Sequence, residues 1–209
     1  MERRAPPPSP APRRRRPWRA FKVPAWISAV LVVLVARSSL ADHYEVPSGS
    51  MLPTVRIGDH VLVNKLAYGI RAPFIGFVDQ FDGPRRADVV VLESPENGIV
   101  LLKRVIAVPG DNIAVQGGRL WLNGKDVAVV RDHGELSELL DQAHPISLDE
   151  GGGPNFGPIT IPAGKYLVLG DNRGDSRDGR YFGLVDRRAI FGRALRIYWR
   201  DGRPAWEKL

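Results

Sequence analysis

The chain has 209 residues, of which 44% are hydrophobic and 25% charged, so it can bury the core of one sizeable domain with appendages. The absence of cysteine excludes disulfide bonds, zinc–thiolate centres and a cysteine nucleophile. The net charge of +7 lies entirely in residues 1–22, which hold eight basic residues and one acidic residue. A nucleic-acid-binding domain would carry its basic excess on the folded part, so no nucleic-acid partner is expected.

The first 41 residues predict a tail followed by a membrane anchor. Residues 1–22 are rich in Pro and Arg and lack the apolar content to fold, which predicts a disordered basic tail. Residues 23–41 are mostly apolar, and they predict one transmembrane helix because Arg37 can snorkel to the bilayer surface. The positive-inside rule leaves the tail in the cytoplasm and residues 42–209 on the outer face. A signal peptide cleaved near SSLA is the alternative.

Residues 42–209 predict a mainly β domain. Short runs rich in β-branched and aromatic residues are separated by Gly, Pro, Asn and Asp, and they include HVLVNKL, DVVVLES, IVLLKRVIAV, NIAVQ, KYLVLGD and AIFGRALRIYW. Asn123 and Gly124 in LWLNGKDV predict a type I′ hairpin turn. The sequence GELSELLDQ (134–142) predicts a short helix. The polar, glycine-rich residues 128–157 predict an insertion or lid between strands.

The first of three polar blocks is PSGSMLPT, residues 47–54. Gly49 permits a tight turn and Pro53 fixes the exit of the loop, so a serine here can lie exposed at the entry of a strand. Ser48 and Ser50 are therefore candidate nucleophiles. An ordinary Gly/Ser loop is the alternative interpretation.

The second block, LLKRVIAVPGD (101–111), places a lysine inside an apolar strand. Strand alternation directs Lys103 and Arg104 to opposite faces. A lysine buried in apolar surroundings has a lowered pKa, and its neutral form can act as a general base. The alternative is a charged residue that protects an exposed sheet edge.

The third block, LGDNRGDSRDGRYFG (169–183), follows an apolar strand and is rich in Asp and Arg. A solvated loop or a calcium loop is the alternative, although interleaved arginines oppose calcium binding. Histidine is the usual base for a serine nucleophile, and a Ser–Lys dyad needs none. The histidines all lie outside the three blocks, at His43, His60, His133 and His144.

In this order, and behind an N-terminal anchor, PSGSMLPT, KRVIAVPGD and GDNRGDSRDGRYFG resemble the blocks of type I signal peptidases, the membrane-bound Ser–Lys endopeptidases. The resemblance covers the chain from about residue 20 to 200. It implies that Ser50 is the nucleophile and Lys103 the general base. The hydroxyl of Ser48 would assist the oxyanion hole beside the backbone N–H of Ser50.

The resemblance also implies a set of supporting residues in the third block. Ser176 would orient the Lys103 amine, and Asp178 with Arg180 would brace the loop. The other supporting residues are Asp171, Asn172 and Arg173.

The chain departs from the family's pattern at two glycines. Gly174-Asp175 stands where the family commonly has Asp-Asn, and Gly179, within Asp178-Gly179-Arg180, stands where a serine is common. Neither departure touches Ser50 or Lys103. The implied fold is a β-sheet catalytic core with a smaller β domain inserted near residues 112–160.

The implied activity is removal of signal peptides from secreted preproteins through an acyl-enzyme at the outer face of a bacterial plasma membrane. The expected partners are those signal peptides and the lipid bilayer, and the chain is expected to act as a monomer without a metal or organic cofactor. Two alternatives come from other classes: a self-cleaving repressor-type protease and a non-catalytic membrane-anchored β domain that binds partners.

Overall fold

The computed structural model describes residues 24, 26–27, 41–72 and 76–209. The predicted basic tail (1–22) and most of the predicted anchor (23–41) lie outside the described residues, so both stay predictions. In the part of the chain that is described, no helix is both long enough and apolar enough to cross a bilayer.

Strands account for most of the regular structure in the described residues, which confirms the prediction of a mainly β domain. The strands are β1 (Ala41–Glu45), β2 (His60–Asn64), β3 (Gly69–Ala72), β4 (Gly76–Gln80), β5 (Val89–Glu93), β6 (Val100–Ala107), β7 (Asn112–Gln116), β8 (Arg119–Leu122), β9 (Lys125–Asp126), β10 (Val129–Asp132), β11 (Glu135–Leu139), β12 (Ala143–Ile146), β13 (Phe156–Thr160), β14 (Lys165–Leu169), β15 (Val185–Asp186), β16 (Ile190–Arg200) and β17 (Arg203–Lys208). The short helix α1 covers Gly179–Phe182, and 3-10 turns cover Gly49–Met51, Lys65–Tyr68 and Arg187–Ala189.

The main sheet is antiparallel and runs β1–β2–β16–β5–β6–β14–β15, with β17 paired to β16. The late strand β16 therefore lies between two early strands, β2 and β5. Strand β5 is buried on both faces: Val91 packs with Met51 on one side, and Val90 packs with Tyr68 on the other. Cover on both faces explains why β5 is continuously apolar instead of alternating.

Residues 112–160 form two small sheets between β6 and β14. One has the order β13–β7–β8–β9 and the other the order β10–β11–β12. Ile113 and Leu120 of the first sheet share a core with Ile106 and Leu167 of the main sheet. These small sheets occupy the region for which an inserted β unit was predicted.

Two-residue turns set the hairpins of this region. Asn123 and Gly124 have φ values of 52° and 79°, which confirms the predicted type I′ turn between β8 and β9. His133 and Gly134, with φ values of 44° and 93°, form a second such turn between β10 and β11. The prediction of a helix at 134–142 is therefore wrong.

Strand pairing explains why this segment is not helical. β11 pairs with β10 on one side and with β12 on the other, so its backbone groups are satisfied. A nine-residue helix is marginal on its own. The strand conformation also directs Glu138, which is 0% exposed, towards Arg173.

Candidate active site

The loop that carries the two candidate serines is fixed by a buried anchor and a tight turn. Met51 is 1% exposed and packs into the main-sheet core. The N–H of Leu52 donates to the carbonyl of Gly49 at 3.0 Å, which closes the 3-10 turn. This arrangement leaves Ser50 half-buried within the turn and Ser48 exposed just before it. The two hydroxyl oxygens lie 3.5 Å apart.

Lys103 reaches this loop from β6. Its backbone pairs with Val90 of β5, and its side chain is 2% exposed. Nζ lies 2.5 Å from Oγ of Ser50, so the structure brings together two residues that are 53 positions apart in the sequence. The alternative of an edge-protecting lysine is wrong, because Lys103 is buried and β6 lies between β5 and β14.

Burial sets the acidity of this lysine. Loss of solvent lowers the pKa of Lys103 from its ordinary 10.5 to about 8. The carboxylates of Asp178 and Asp171 oppose that shift, and the guanidinium of Arg180 adds to it. A large fraction of the molecules therefore carries a neutral amine in mildly alkaline solution, and only the neutral form can accept a proton from a hydroxyl.

Arg104, the next residue of β6, has different partners from Lys103, as strand alternation predicts. Its Nε and Nη2 donate to the two carboxylate oxygens of Asp171 at 2.9 and 2.7 Å. Burial raises the pKa of Asp171, but the charge of Arg104 and the hydrogen bonds outweigh burial and hold the pKa below its usual range. Thr54 also donates to Asp171 at 2.5 Å, so one carboxylate ties the serine loop to β6.

Asn172 holds the main chain of the serine loop. Its backbone N–H donates to the carbonyl of Ser50 at 3.2 Å, and its side-chain amide donates to the carbonyl of Gly49 at 3.4 Å. These bonds fix the two peptide groups on either side of the Ser50 Cα and thereby orient the Ser50 side chain.

Asp178 and Arg180 form a buried pair beside α1. Their closest charged atoms are 2.7 Å apart, and both side chains are 0% exposed. Asp178 also accepts from the backbone N–H of Arg180 at the start of α1 and from that of Gly170 at 3.0 Å. Arg180 donates in turn to the carbonyl of Gly152. The pair thus joins both ends of the third block to the glycine-rich segment of the insertion.

Arg173 forms a second buried pair, with Glu138 of β11. Nη1 and Nη2 donate to the two carboxylate oxygens at 2.9 and 2.6 Å, and both side chains are 0% exposed. Arg173 also donates to the carbonyls of Gly170 and Gly118. Burial raises the pKa of Glu138, but the charge of Arg173 brings it below its ordinary value.

Ser176 lies inside the third block with its hydroxyl buried. The hydroxyl has no hydrogen-bond partner among the described residues, so the predicted contact with Lys103 stays a prediction. A Cβ atom at Gly170 would stand 2.2 Å from this hydroxyl and 2.3 Å from the carbonyl oxygen of Ser50. Gly170 therefore has to be glycine for the third block to approach the serine loop.

The two glycines that depart from the family's pattern lie where there is no room for a side chain. A Cβ at Gly174 would come within 2.4 Å of the carbonyl oxygen of Glu150. A Cβ at Gly179 would come within 2.7 Å of a methyl group of Leu167 and 2.9 Å of the carbonyl oxygen of Val168. Both departures thus accompany close packing of the third block in this chain.

A cleft of about 230 Å³ opens beside Ser50 and Lys103. Its walls include Val61, Val63 and Val91 of the core strands, and its lining is mainly apolar. Such a cleft can hold apolar groups of a ligand next to the Ser50 hydroxyl.

The third block does not have the character of a calcium loop. Asp171 and Asp178 are each bound by an arginine, which occupies the carboxylate oxygens that a cation would need. Within the described ranges, no three His, Asp or Glu side chains are grouped to hold a metal ion.

Two residues of the site were not found from the sequence. Thr54 contacts Asp171 across 117 positions, and Glu138 contacts Arg173 across 35 positions. Glu138 also fell in the segment predicted as helix. A buried Arg in the third block implies a carboxylate partner, but no local pattern says which one.

Comparison with known proteins gives a consistent result. Residues 19–199 match the family described as signal peptidase, peptidase S26. The chain is 38% identical to signal peptidase I of Pseudomonas aeruginosa, in an alignment that covers 85% of this chain and 72% of that one. It is 33% identical to signal peptidase I of Leptolyngbya laminosa, with 82% and 75% covered. The identity to signal peptidase I of Bacillus licheniformis is also 33%, with 85% and 87% covered.

One solved structure, a signal peptidase I from Enterococcus faecalis V583, is 28% identical. It covers 55% of this chain and 98% of its own, with a TM-score of 0.40. The family assignment rests on the sequence matches.

Proposed function

Because the chain belongs to the signal peptidase family, peptidase S26, whose members are serine endopeptidases that remove signal peptides, we propose that it does so with Ser50 as nucleophile and Lys103 as general base. The observation that supports this assignment is the 2.5 Å separation of Lys103 Nζ from Ser50 Oγ in a buried setting. The repressor-type and non-catalytic alternatives are wrong, since curated relatives over 82–85% of the chain are signal peptidases.

The reaction has two halves. In the first, neutral Lys103 takes the hydroxyl proton of Ser50 as its oxygen attacks the scissile carbonyl, and the resulting ammonium gives that proton to the leaving amine. The signal peptide is then bound to Ser50 as an ester. In the second half, Lys103 takes a proton from water, the hydroxide attacks the ester, and the proton returns to Ser50.

The developing negative charge on the carbonyl oxygen needs hydrogen-bond donors. The backbone N–H of Ser50 and the hydroxyl of Ser48 are the proposed donors. The separation of 3.5 Å between the two hydroxyl oxygens supports a shared location beside the reacting carbon.

The substrate is an extended segment with small residues at the −1 and −3 positions. The apolar cleft beside the two proposed catalytic residues, lined by Val61, Val63 and Val91, supports this choice. In this proposal Ser176 orients the Lys103 amine, while Asp178 and Arg180, together with Asp171, Asn172 and Arg173, hold the surrounding loops.

Membrane attachment belongs to the same proposal. Residues 23–41 anchor the chain, residues 1–22 stay in the cytoplasm, and the catalytic domain acts as a monomer on the outer face, next to lipid. Ser50 lies nine positions after Ala41, a span of at most roughly 30–32 Å. The site is thereby held close to the bilayer, where the signal peptide also lies.

The test uses the full chain in lipid vesicles with a preprotein that has alanine at −1 and −3. Ser50→Ala and Lys103→Ala each abolish cleavage, and the double variant is no worse, because the two residues act as a unit. Ser48→Ala slows cleavage by about 10²–10³-fold. Lys165→Ala is the matched control, since this lysine pairs with Asp186 in a partly exposed bridge and should leave cleavage unchanged. Near-normal turnover in Lys103→Ala would refute the dyad.

A further inference from the structure

The hairpin formed by β11 and β12, residues 135–146, contacts the turn at residues 170–173. The Glu138–Arg173 pair described above is the side-chain part of that contact. His144 of β12 adds to it, with Nε2 lying 3.3 Å from the same Glu138 carboxylate. Buried charges from two distant parts of the chain thus meet in one cluster.

A backbone contact also joins the hairpin to the turn. Just after β12, the N–H of Ser147 donates to the carbonyl of Asp171 at 2.9 Å, and the N–H of Arg173 donates to the carbonyl of Ser147 at 3.0 Å. Ser147 therefore forms a parallel bridge with Asn172. The end of the hairpin is thus joined to the turn at Asp171 and at Arg173, on both sides of Asn172.

The turn transmits this contact to the serine loop. Asn172 lies between Asp171 and Arg173 and donates to the carbonyls of Ser50 and Gly49. The hairpin also touches the end of the serine loop directly, since the hydroxyl of Thr54 donates to the carbonyl of Pro145 at 3.4 Å. Among the described residues no hairpin residue forms a hydrogen bond with the hydroxyl of Ser50, and the bonds that hold the backbone of Gly49 and Ser50 come from the turn.

We propose that Glu138 is a positioning residue for the nucleophile. By pairing with Arg173 it holds the turn 170–173 where Asn172 fixes the backbone of Ser50. The proposal rests on the function assigned to Ser50 above. It gives the insertion a defined role in the reaction, which is to set the position of the serine loop.

Charge is the physical reason that Glu138 can act at this distance. Arg173 is 0% exposed, and a buried guanidinium without a carboxylate is strongly unfavourable. If Glu138 loses its charge, Arg173 lowers its free energy by moving towards water. The backbone at Gly170 and Gly118, whose carbonyls accept hydrogen bonds from Arg173, then shifts as well. A shift of about 1 Å in a catalytic group can lower a rate about 10²-fold.

The experiment compares Glu138→Gln with two other variants. Glu138→Asp keeps the negative charge, so Arg173 stays paired and we expect the protein to fold. Its shorter side chain weakens the two hydrogen bonds from Arg173. Glu96→Gln is the matched control, because Glu96 also receives two hydrogen bonds from an arginine of the third block, Arg177, at 2.8 and 2.6 Å, but on the exposed surface. For each protein, kcat and KM are measured with the preprotein, and amide hydrogen exchange is followed in peptides covering 47–55 and 170–174.

In Glu138→Gln we expect kcat to fall about 10–100-fold with KM within about twofold, together with faster exchange in both peptides. Glu138→Asp should lie between this variant and wild type, and Glu96→Gln should match wild type. A purely structural role would lower the melting temperature and leave kcat unchanged in the folded protein, which would overturn the proposal.

Two further outcomes are decided by the same data. If Glu138→Gln does not fold, unchanged kcat and exchange in Glu138→Asp would overturn the positioning role. If the wild type does not cleave the preprotein, the proposed function fails, whereas the exchange of residues 47–55 still decides whether Glu138 controls the serine loop.

Discussion

The two sides of the candidate site hold buried positive charge in different ways. Around the third block each buried guanidinium has a carboxylate partner, in the pairs Arg104–Asp171, Arg173–Glu138 and Arg180–Asp178. On the cleft side, the ammonium of Lys103 has the hydroxyl of Ser50 as its hydrogen-bond partner. Paired cations stay charged and hold the backbone, whereas a cation facing a hydroxyl in a dry setting gives up its proton more easily.

The largest expected effect comes from replacing Lys103 with arginine, so that the cleft side also holds a cation that does not release its proton. Lys103→Arg keeps a positive charge and a similar length, but a guanidinium does not lose its proton in proteins. We expect kcat/KM to fall by about 10⁴-fold or more at every pH, with the fold retained.

Cleavage assays from pH 6 to 10 measure this effect, with Lys165→Arg as control. Recovery of activity at high pH in Lys103→Arg would show that the base lies elsewhere.

The next effect comes from breaking a pair on the other side. Asp171→Asn leaves Arg104 buried without a charged partner, so the free energy of unfolding should fall by about 3–5 kcal/mol at pH 7. The pKa of Asp171 is lowered in the folded state, so its stabilisation is present above the unfolded value of about 3.9 and is lost as pH falls through the folded value. The difference between variant and wild type should therefore shrink below about pH 4.

Urea unfolding at several pH values tests this prediction. Asp126→Asn is the control, since the Arg119–Asp126 pair is half-exposed and should contribute at most about 1 kcal/mol. A pH-independent difference would mean that Asp171 stabilises the fold by packing alone.

The smallest effect sharpens the comparison on the Lys103 side. With a pKa of about 8 for Lys103, kcat/KM should rise about tenfold per pH unit below that value and level off above it. The carboxylate of Asp175 raises the pKa of Lys103 from an exposed position. Asp175→Asn should therefore move the midpoint to lower pH by about a few tenths of a unit.

The pH dependence of kcat/KM at constant ionic strength measures the midpoint. Movement of the midpoint to higher pH in Asp175→Asn, or a wild-type midpoint near pH 10, would contradict the assignment of the rise in kcat/KM to deprotonation of a buried Lys103.

The features that the sequence predicts correctly depend on residues that are close together along the chain. Strand alternation separated Lys103 from Arg104, and Asn123-Gly124 predicted its turn, because both signals act over one to four positions. The false helix at 134–142 arose from the same local reasoning, which could not include the pairing of β11 with two neighbours.

The partners of buried charges were beyond local reasoning. Thr54 and Glu138 bind residues of the third block across long stretches of chain, and no periodicity marks such contacts. The family resemblance supplied the roles of Ser50 and Lys103, and their proximity supports those roles. The orphaned hydroxyl of Ser176 was not foreseeable, since side-chain contacts in a tight loop depend on the final backbone.

The position of β16 has a consequence for how the enzyme folds. The serine loop leads into β2 and the lysine lies in β6, so the two proposed catalytic residues belong to the separate strand pairs β1–β2 and β5–β6. In the main sheet only β16, residues 190–200, joins those pairs. Closing chain segments of this length is entropically unfavourable and slows folding. We therefore expect Ser50 and Lys103 to reach their contact distance only after residues 190–200 have been synthesised and have entered the sheet.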